Sequence, residues 1–197
     1  NYVIIAVPLF IFTANVMNSG KVTEMIYDFA LGLVGRMRGA LGQVNILGSL
    51  IFAGMTGSAI ADAAGLGKIE IEAMKKDGFE PEFACAITAA SATLGPIFPP
   101  SIPLVIYAML SSTSVGALFM GGMVPAILLA IFLMIYVAIV SKKRNYPRGE
   151  KIVLKTFLLA TFKAIPALLT PVILLVGIYT GVMTPTEAGA IAGLYAI

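Results

Sequence analysis

The chain has no histidine, no tryptophan, a single cysteine and few charges, and each scarcity excludes something. Without histidine, and with only Cys85 as a thiol, there is no residue set for a zinc or haem centre and no internal disulfide. Cys85 is flanked by Ala84, Ala86 and Ile87 and reads as a small packing residue, not a reactive thiol. Charged residues make up 12% of the sequence and hydrophobic residues 59%, a balance that ordinary water-soluble domains do not have. Phe83 to Ser141 holds no charged residue at all, and at roughly 20 residues per crossing that is room for two membrane spans. The composition describes an integral membrane protein. Strand-like alternation is missing, so the expectation is an all-α, polytopic helical protein and not a barrel. The net charge of +3 sits at the ends of apolar runs, where it speaks to topology and the lipid bilayer and not to nucleic acid.

What is present is a series of apolar segments, two of them interrupted. Residues 1–38 comprise a first apolar helix, bendable at Pro8, and an amphipathic segment from Lys21 to Arg38 that either crosses the membrane or lies in its interface. No basic n-region or cleavage site accompanies the first helix, so it reads as a membrane helix and not a signal peptide. Residues 39–77 begin uncharged and glycine-rich, but only about 14 residues, or roughly 21 Å of helix, precede the interruption at 54–58. That is too short to cross, which predicts a re-entrant helical hairpin with its tip at 55–58. Basic residues at both ends, Arg36 and Arg38 on entry and Lys68, Lys75 and Lys76 on exit, place its base on the cytoplasmic face. Glu70, Glu72, Lys75, Lys76 and Asp77 read as a solvated surface.

Residues 83–110 are long enough for one crossing but are broken at 95–101 by three prolines, giving two half-helices, 83–94 and 102–110. Residues 115–141 return across the bilayer to the basic cluster Lys142-Lys143-Arg144. Lys151 to Lys163 has bases at helical spacing among apolar residues and suits an interfacial helix. Residues 164–197 supply another span and then Thr184-Pro185-Thr186-Glu187, a helix start with Glu187 as a cap. The chain starts without methionine and stops inside an apolar run, which predicts a piece of a longer polypeptide.

Broken backbone at membrane depth survives only when it is packed in protein or lines a polar cavity, because an unpaired peptide group in hydrocarbon costs several kcal/mol. Two breaks some forty residues apart therefore point to a shared site. Thr56, Ser58, Thr93 and Ser101 offer hydroxyls there, Gly57, Gly95 and Pro96 offer free carbonyls, and Asp62 one turn past the tip offers a carboxylate. Oxygen ligands of this kind, mostly neutral, suit a hard monovalent cation such as sodium. Each hydroxyl alone is equally well read as bonding back to its own helix, and Asp62 as a structural charge at the start of the second hairpin arm. Asn45, on the first arm, reads as an interhelical hydrogen-bonding residue or as a brace for the tip.

The runs AGMTGSAIADAAGLG, GFEPEFACAITAASATLGPIFPPSIPLVIY and GIYTGVMTPTEAGAIAG resemble the large membrane subunit of tripartite ATP-independent periplasmic (TRAP) transporters. The resemblance covers essentially all 197 residues. It implies a sodium-coupled secondary importer of carboxylate solutes in the bacterial inner membrane, built of two inverted repeats and working by an elevator motion. It further implies two partners, a small four-helix membrane subunit and a periplasmic substrate-binding protein, and no cofactor beyond sodium as the coupling ion. This chain would be the first repeat, with the second beginning near Thr184. Carried over residue by residue, the sodium site would be Thr56, Gly57, Ser58, Asp62, Gly95, Pro96, Pro99 and Ser101, and Asn45, Ser58, Thr93 and Ser101 would face substrate. Sialic acid and C4-dicarboxylates are both open as cargo, with the likeness favouring the first.

Three other readings are possible. A sodium-coupled carboxylate carrier of similar design would need no binding protein. A non-transporting membrane scaffold would make both interruptions dispensable. An intramembrane hydrolase needs a nucleophile with a base, or paired aspartates at depth, and Asp62 has neither partner in the sequence.

Overall fold

Glycine, proline and hydroxyl residues set most of the helix ends in this protein. The computed structural model describes residues 3–19, 22–149 and 154–196, and their regular elements are α-helices. Among them the strand-like pairing is one isolated antiparallel bridge between Arg38 and Arg148. The helices are α1 (Val3–Ser19), α2 (Val22–Val34), α3 (Ala40–Thr56), α4 (Ala59–Ala64), α5 (Leu66–Lys76), α6 (Pro81–Ala92), α7 (Ile102–Ser111), α8 (Val115–Lys143), α9 (Leu154–Tyr179) and α10 (Pro185–Ala196).

Helix α3 stops because Gly57 takes a left-handed backbone, φ 58°, and its N–H closes on Ala53 O. Ser58 then starts α4, its hydroxyl accepting from Ala61 N–H. The run from Ala59 to Lys76 is not one helix, as the sequence suggests; it kinks at Gly65, whose φ of −89° and ψ of −90° interrupt it between α4 and α5. Arms α3 and α5 pack on each other, so 40–76 is a helical hairpin with Gly57–Ser58 at its turn.

The second interruption is also where the proline spacing puts it. Helix α6 starts with Pro81 in its first turn and ends at Ala92; turns and bends follow, with a cis peptide between Pro99 and Pro100; and Ser101 caps α7. Proline at either site cannot donate to a helical ladder, so the chain stays unwound until Ser101 supplies a cap.

By length and composition, α8 and residues 157–179 of α9 are each sufficient to cross a bilayer, and α1 with α2 makes a third span only if the bent pair is counted as one. Val124, Leu128, Ile131, Ile135 and Ile139 form an exposed apolar stripe along α8, the side a lipid would cover. Residues 154–163, expected as a separate interfacial segment, are continuous with the span in α9 despite Pro166 and Pro171. Residues 151–153 lie outside the described residues.

Packing is organised in three apolar clusters. One joins α3, α5, α6 and α8 through Ile46, Met74, Phe83, Ile87, Leu94 and Val137. A second joins α1, α7, α8, α9 and α10 around Phe10, Val105, Phe119 and Leu174. A third, with Met17, Ile26, Phe52, Met55, Leu66 and Ala167, closes the remaining side of the hairpin. Cys85 corrects its sequence reading: it is exposed on α6, not packed.

Candidate functional site

The hairpin turn and the broken helix meet backbone to backbone. A Cβ built on Gly57 would run into Pro100 O and would stand 3.0 Å from Ser101 Cα and 3.1 Å from Ile102 N. Reciprocally, a Cβ on Gly95 would lie 2.8 Å from Ser58 C and 2.9 Å from Ala59 N. Only glycine allows either approach, and Gly57 also needs its left-handed φ. A third contact braces the break from behind, where Gly122 of α8 leaves room for Ile97 O.

This seam joins helix ends crosswise. The residue after the C-terminus of α3 meets the N-terminus of α7, and the segment after the C-terminus of α6 meets the N-terminus of α4. Helix C-termini present carbonyl oxygens that no intrahelical N–H has used, and N-termini present unused N–H groups. The junction therefore brings together groups that attract a cation and groups that attract an anion. Thr56 and Ser101 are buried at 1% and 0% exposure, and Gly57, Gly95 and Pro99 are buried with them.

The hydroxyls at the seam all have local partners. Thr56 Oγ1 donates to Phe52 O at 3.3 Å. Ser101 Oγ donates to Pro96 O at 2.6 Å and accepts from Leu104 N–H, so it ties the two sides of the break together. Ser58 Oγ accepts from Ala61 N–H. A hydroxyl oxygen has two acceptor positions, so Ser58 and Ser101 each keep one for a cation without giving up their caps. Thr93 stands differently: it is exposed and its hydroxyl donates to Ala90 O at 2.6 Å, on the C-terminal turn of α6.

Asn45 is not at the turn. It lies three turns before Thr56 on α3, about 16 Å of helical rise, inside a second polar cluster. Its Nδ2 donates to Glu70 Oε2 at 2.6 Å and to Thr88 Oγ1 at 2.8 Å, and its Oδ1 accepts from Ser91 Oγ at 2.8 Å. Ser49 Oγ donates to Ser91 Oγ at 3.1 Å. The cluster thus binds α3, α5 and α6 to one another.

Glu70 corrects its sequence reading, since it is 1% exposed and not part of a solvated surface. Glu72, Lys75, Lys76 and Asp77 are exposed. The sign was available in the spacing: Leu66, Glu70 and Met74 recur every four residues and form one buried stripe. Asp62 is likewise 1% exposed, and neither of its carboxylate oxygens has a hydrogen-bond partner. Its neighbour on α3 is Ser49, whose one hydroxyl proton is already directed at Ser91.

The sequence profile described as "Tripartite ATP-independent periplasmic transporter, DctM component" matches residues 1–197. The chain is 47% identical over 197 residues to the sialic acid TRAP transporter large permease protein of Vibrio cholerae, covering 100% of this chain and 46% of that protein. It is 41% identical over 197 residues to the sialic acid TRAP transporter permease protein of Haemophilus influenzae, covering 32% of it. To the C4-dicarboxylate TRAP transporter large permease protein of Pseudomonas aeruginosa it is 39% identical over 195 residues, covering 99% of this chain and 46% of that protein. The chain spans less than half the length of these curated relatives.

Proposed function

The chain belongs to the DctM component family of tripartite ATP-independent periplasmic transporters, as an integral membrane transport protein and not an enzyme, and from that premise we propose that it is the first half of a sodium-coupled importer of carboxylate solutes. The observation that carries the proposal is the crossed seam between Gly57–Ala59 and Gly95–Ile102. Sodium would sit among the carbonyls that end α3 and α6, with the Ser58 and Ser101 hydroxyls as further ligands. The carboxylate would approach the N-terminal amides of the opposing half-helices, completed by the second half of the full-length protein. The hairpin would enter the membrane from the cytoplasmic side and return to it. Loading with sodium would hold turn and break together, and the joined elements would move as one body in an elevator-type step across the bacterial inner membrane.

The partners are a small membrane subunit and a periplasmic binding protein that delivers the solute. Sialic acid is the first cargo to test, because two of the relatives named above carry that substrate in their names at 47% and 41% identity. A C4-dicarboxylate is the second, on the 39% identity to the Pseudomonas aeruginosa protein.

The test is uptake into proteoliposomes by the full-length protein with its small subunit, under an inward sodium gradient, with and without the binding protein. Uptake that needs both sodium and the binding protein is the expected result. Uptake driven by sodium alone would instead indicate a self-sufficient carrier.

A further inference from the structure

Between the hairpin arms, beginning one helical turn past Ser58, whose carbonyl accepts from Asp62 N–H at 3.2 Å, two acidic side chains are buried. Glu70 Oε1 lies against Gly48, 2.8 Å from where a Cβ on that glycine would be, and Asp62 stands beside Ser49, the next residue of α3. Consecutive Cα atoms are about 3.8 Å apart, so both carboxyl groups face the same turn of α3. Each residue is 1% exposed. Asp62 Oδ1, Asp62 Oδ2 and Glu70 Oε1 have no hydrogen-bond partner, while Glu70 Oε2 is fixed by Asn45. The nearby bases of the hairpin, Lys68, Lys75 and Lys76, are all exposed.

Buried carboxylates without donors or counter-charge are strongly unfavourable, and two side by side more so. We propose that Asp62 and Glu70 together hold a monovalent cation of the sodium class, in a site separate from the seam. Its ligands are the three unpartnered carboxylate oxygens and the Ser49 hydroxyl oxygen, which keeps acceptor capacity while its proton points to Ser91. The donor set is oxygen throughout, which selects a hard cation and excludes soft metals. A divalent ion such as calcium wants about six to eight oxygens, more than the three carboxylate oxygens and one hydroxyl named here. Asn45 has a defined part as a positioning residue: by holding Oε2 it fixes the carboxyl with Oε1 against Gly48. The cation would tie α4 and α5 to α3, so that the hairpin is closed along its length as well as at its turn.

The test is equilibrium binding of radioactive sodium to the purified full-length protein in detergent, with wild type, Glu70→Gln, Asp62→Asn and Ser101→Ala compared. Glu70→Gln keeps the shape of the side chain and its contact with Asn45. The expected result is one sodium fewer per protein in Glu70→Gln and in Asp62→Asn. Equal sodium stoichiometry in wild type and both carboxylate variants overturns the proposal and leaves the pair sharing a proton. Should both variants fail to fold, Ser49→Ala leaves the two carboxyl groups in place: weaker sodium binding supports the site and unchanged affinity overturns it. Ser101→Ala reports on the seam alone, so failure of the seam reading and failure of this one are separately visible.

Discussion

Asn45 on α3 donates an amide hydrogen to Glu70 on α5 at 2.6 Å, and through this contact the two arms of the hairpin are joined by buried polar groups. The same amide nitrogen reaches Thr88 on α6 at 2.8 Å, so one side chain binds three helices.

Replacing Asn45 by leucine fills similar volume but leaves Glu70, Thr88 and Ser91 without a shared partner. A buried carboxylate deprived of its donor makes this a large effect, about 3 kcal/mol of lost stability. Thr88→Val removes a single neutral hydrogen bond and should cost about 1 kcal/mol. Thermal unfolding of the full-length protein in detergent separates the two; equal effects would mean that the cluster is not organised around Asn45.

At the seam, Gly57→Ala introduces a Cβ at φ 58° and directs it at Pro100 O. The left-handed backbone alone costs about 1 kcal/mol for alanine, and the displaced contact adds to it. Sodium-driven uptake should fall by about tenfold or more, which corresponds to about 1.4 kcal/mol. Gly121→Ala is the control: it is helical, with nothing within 4 Å of its Cβ, and should leave uptake unchanged and stability slightly raised.

Ser101 holds both sides of the break and Ser58 only its own helix, so alanine at the two positions should act unequally on folding. Loss of an N-cap costs about 1 kcal/mol, and Ser101→Ala loses the bond to Pro96 O as well. Both substitutions should raise the sodium concentration that half-activates uptake. If neither moves that concentration, the hydroxyls are caps alone.

Where α6 begins and α8 ends, an ion pair and an aromatic stack occupy the same corner. Arg144 pairs with Glu80, both about half exposed, and lies 5.7 Å from the centre of the Phe83 ring. Tyr146 is 8% exposed and stacks on Phe79 with centroids 4.3 Å apart. Exposed pairs contribute little and buried rings contribute a great deal. Arg144→Ala should therefore be close to neutral in thermal unfolding, and Tyr146→Ala should cost about 3 kcal/mol.

At the start of α10, Thr184 and Glu187 form a capping box: Glu187 Oε2 accepts from Thr184 N–H at 2.8 Å, and Thr184 Oγ1 accepts from Glu187 N–H at 3.3 Å. The bond from the Thr184 backbone is the main reason the Glu187 carboxyl is held below its ordinary range. A carboxyl lowered on folding stabilises fully above its unfolded pKa, and the contribution fades as pH falls through the folded one. The melting difference between wild type and Glu187→Gln should be present at neutral pH and vanish in acid. A difference that persists below pH of about 3, well under an ordinary glutamate, would show that the cap does not depend on charge.

Most of the framework was legible in the sequence because its signals are local. Proline at 96, 99 and 100 and glycine at 57 mark breaks by removing donors or permitting a left-handed backbone, whatever the surroundings. The kink at Gly65 was not legible, since an isolated glycine in a helical run is usually tolerated. Among Glu72, Lys75 and Lys76 the charge of Glu70 looks solvated, although its four-residue spacing from Leu66 and Met74 points inward. The separation of Asn45 from the turn was readable as helix length. Its partners Thr88 and Ser91 were not, because they come from a helix some forty residues away and only tertiary packing brings them together. Cys85 has apolar neighbours in sequence, which suggests packing, but Ile87 and Ala84 turn inward on α6 while Cys85 faces out.

The seam at Gly57 and Gly95 has no ionisable side chain: its contacts come from Ser58, Ala59, Pro100, Ser101 and Ile102. Dispersion contacts between uncharged backbones are not screened by salt and do not titrate in the physiological range. Acidification thus has no direct grip on these backbone contacts. Any such dependence measured for the assembled transporter must originate elsewhere in it, which makes the response to acid a way of locating events that happen away from the turn.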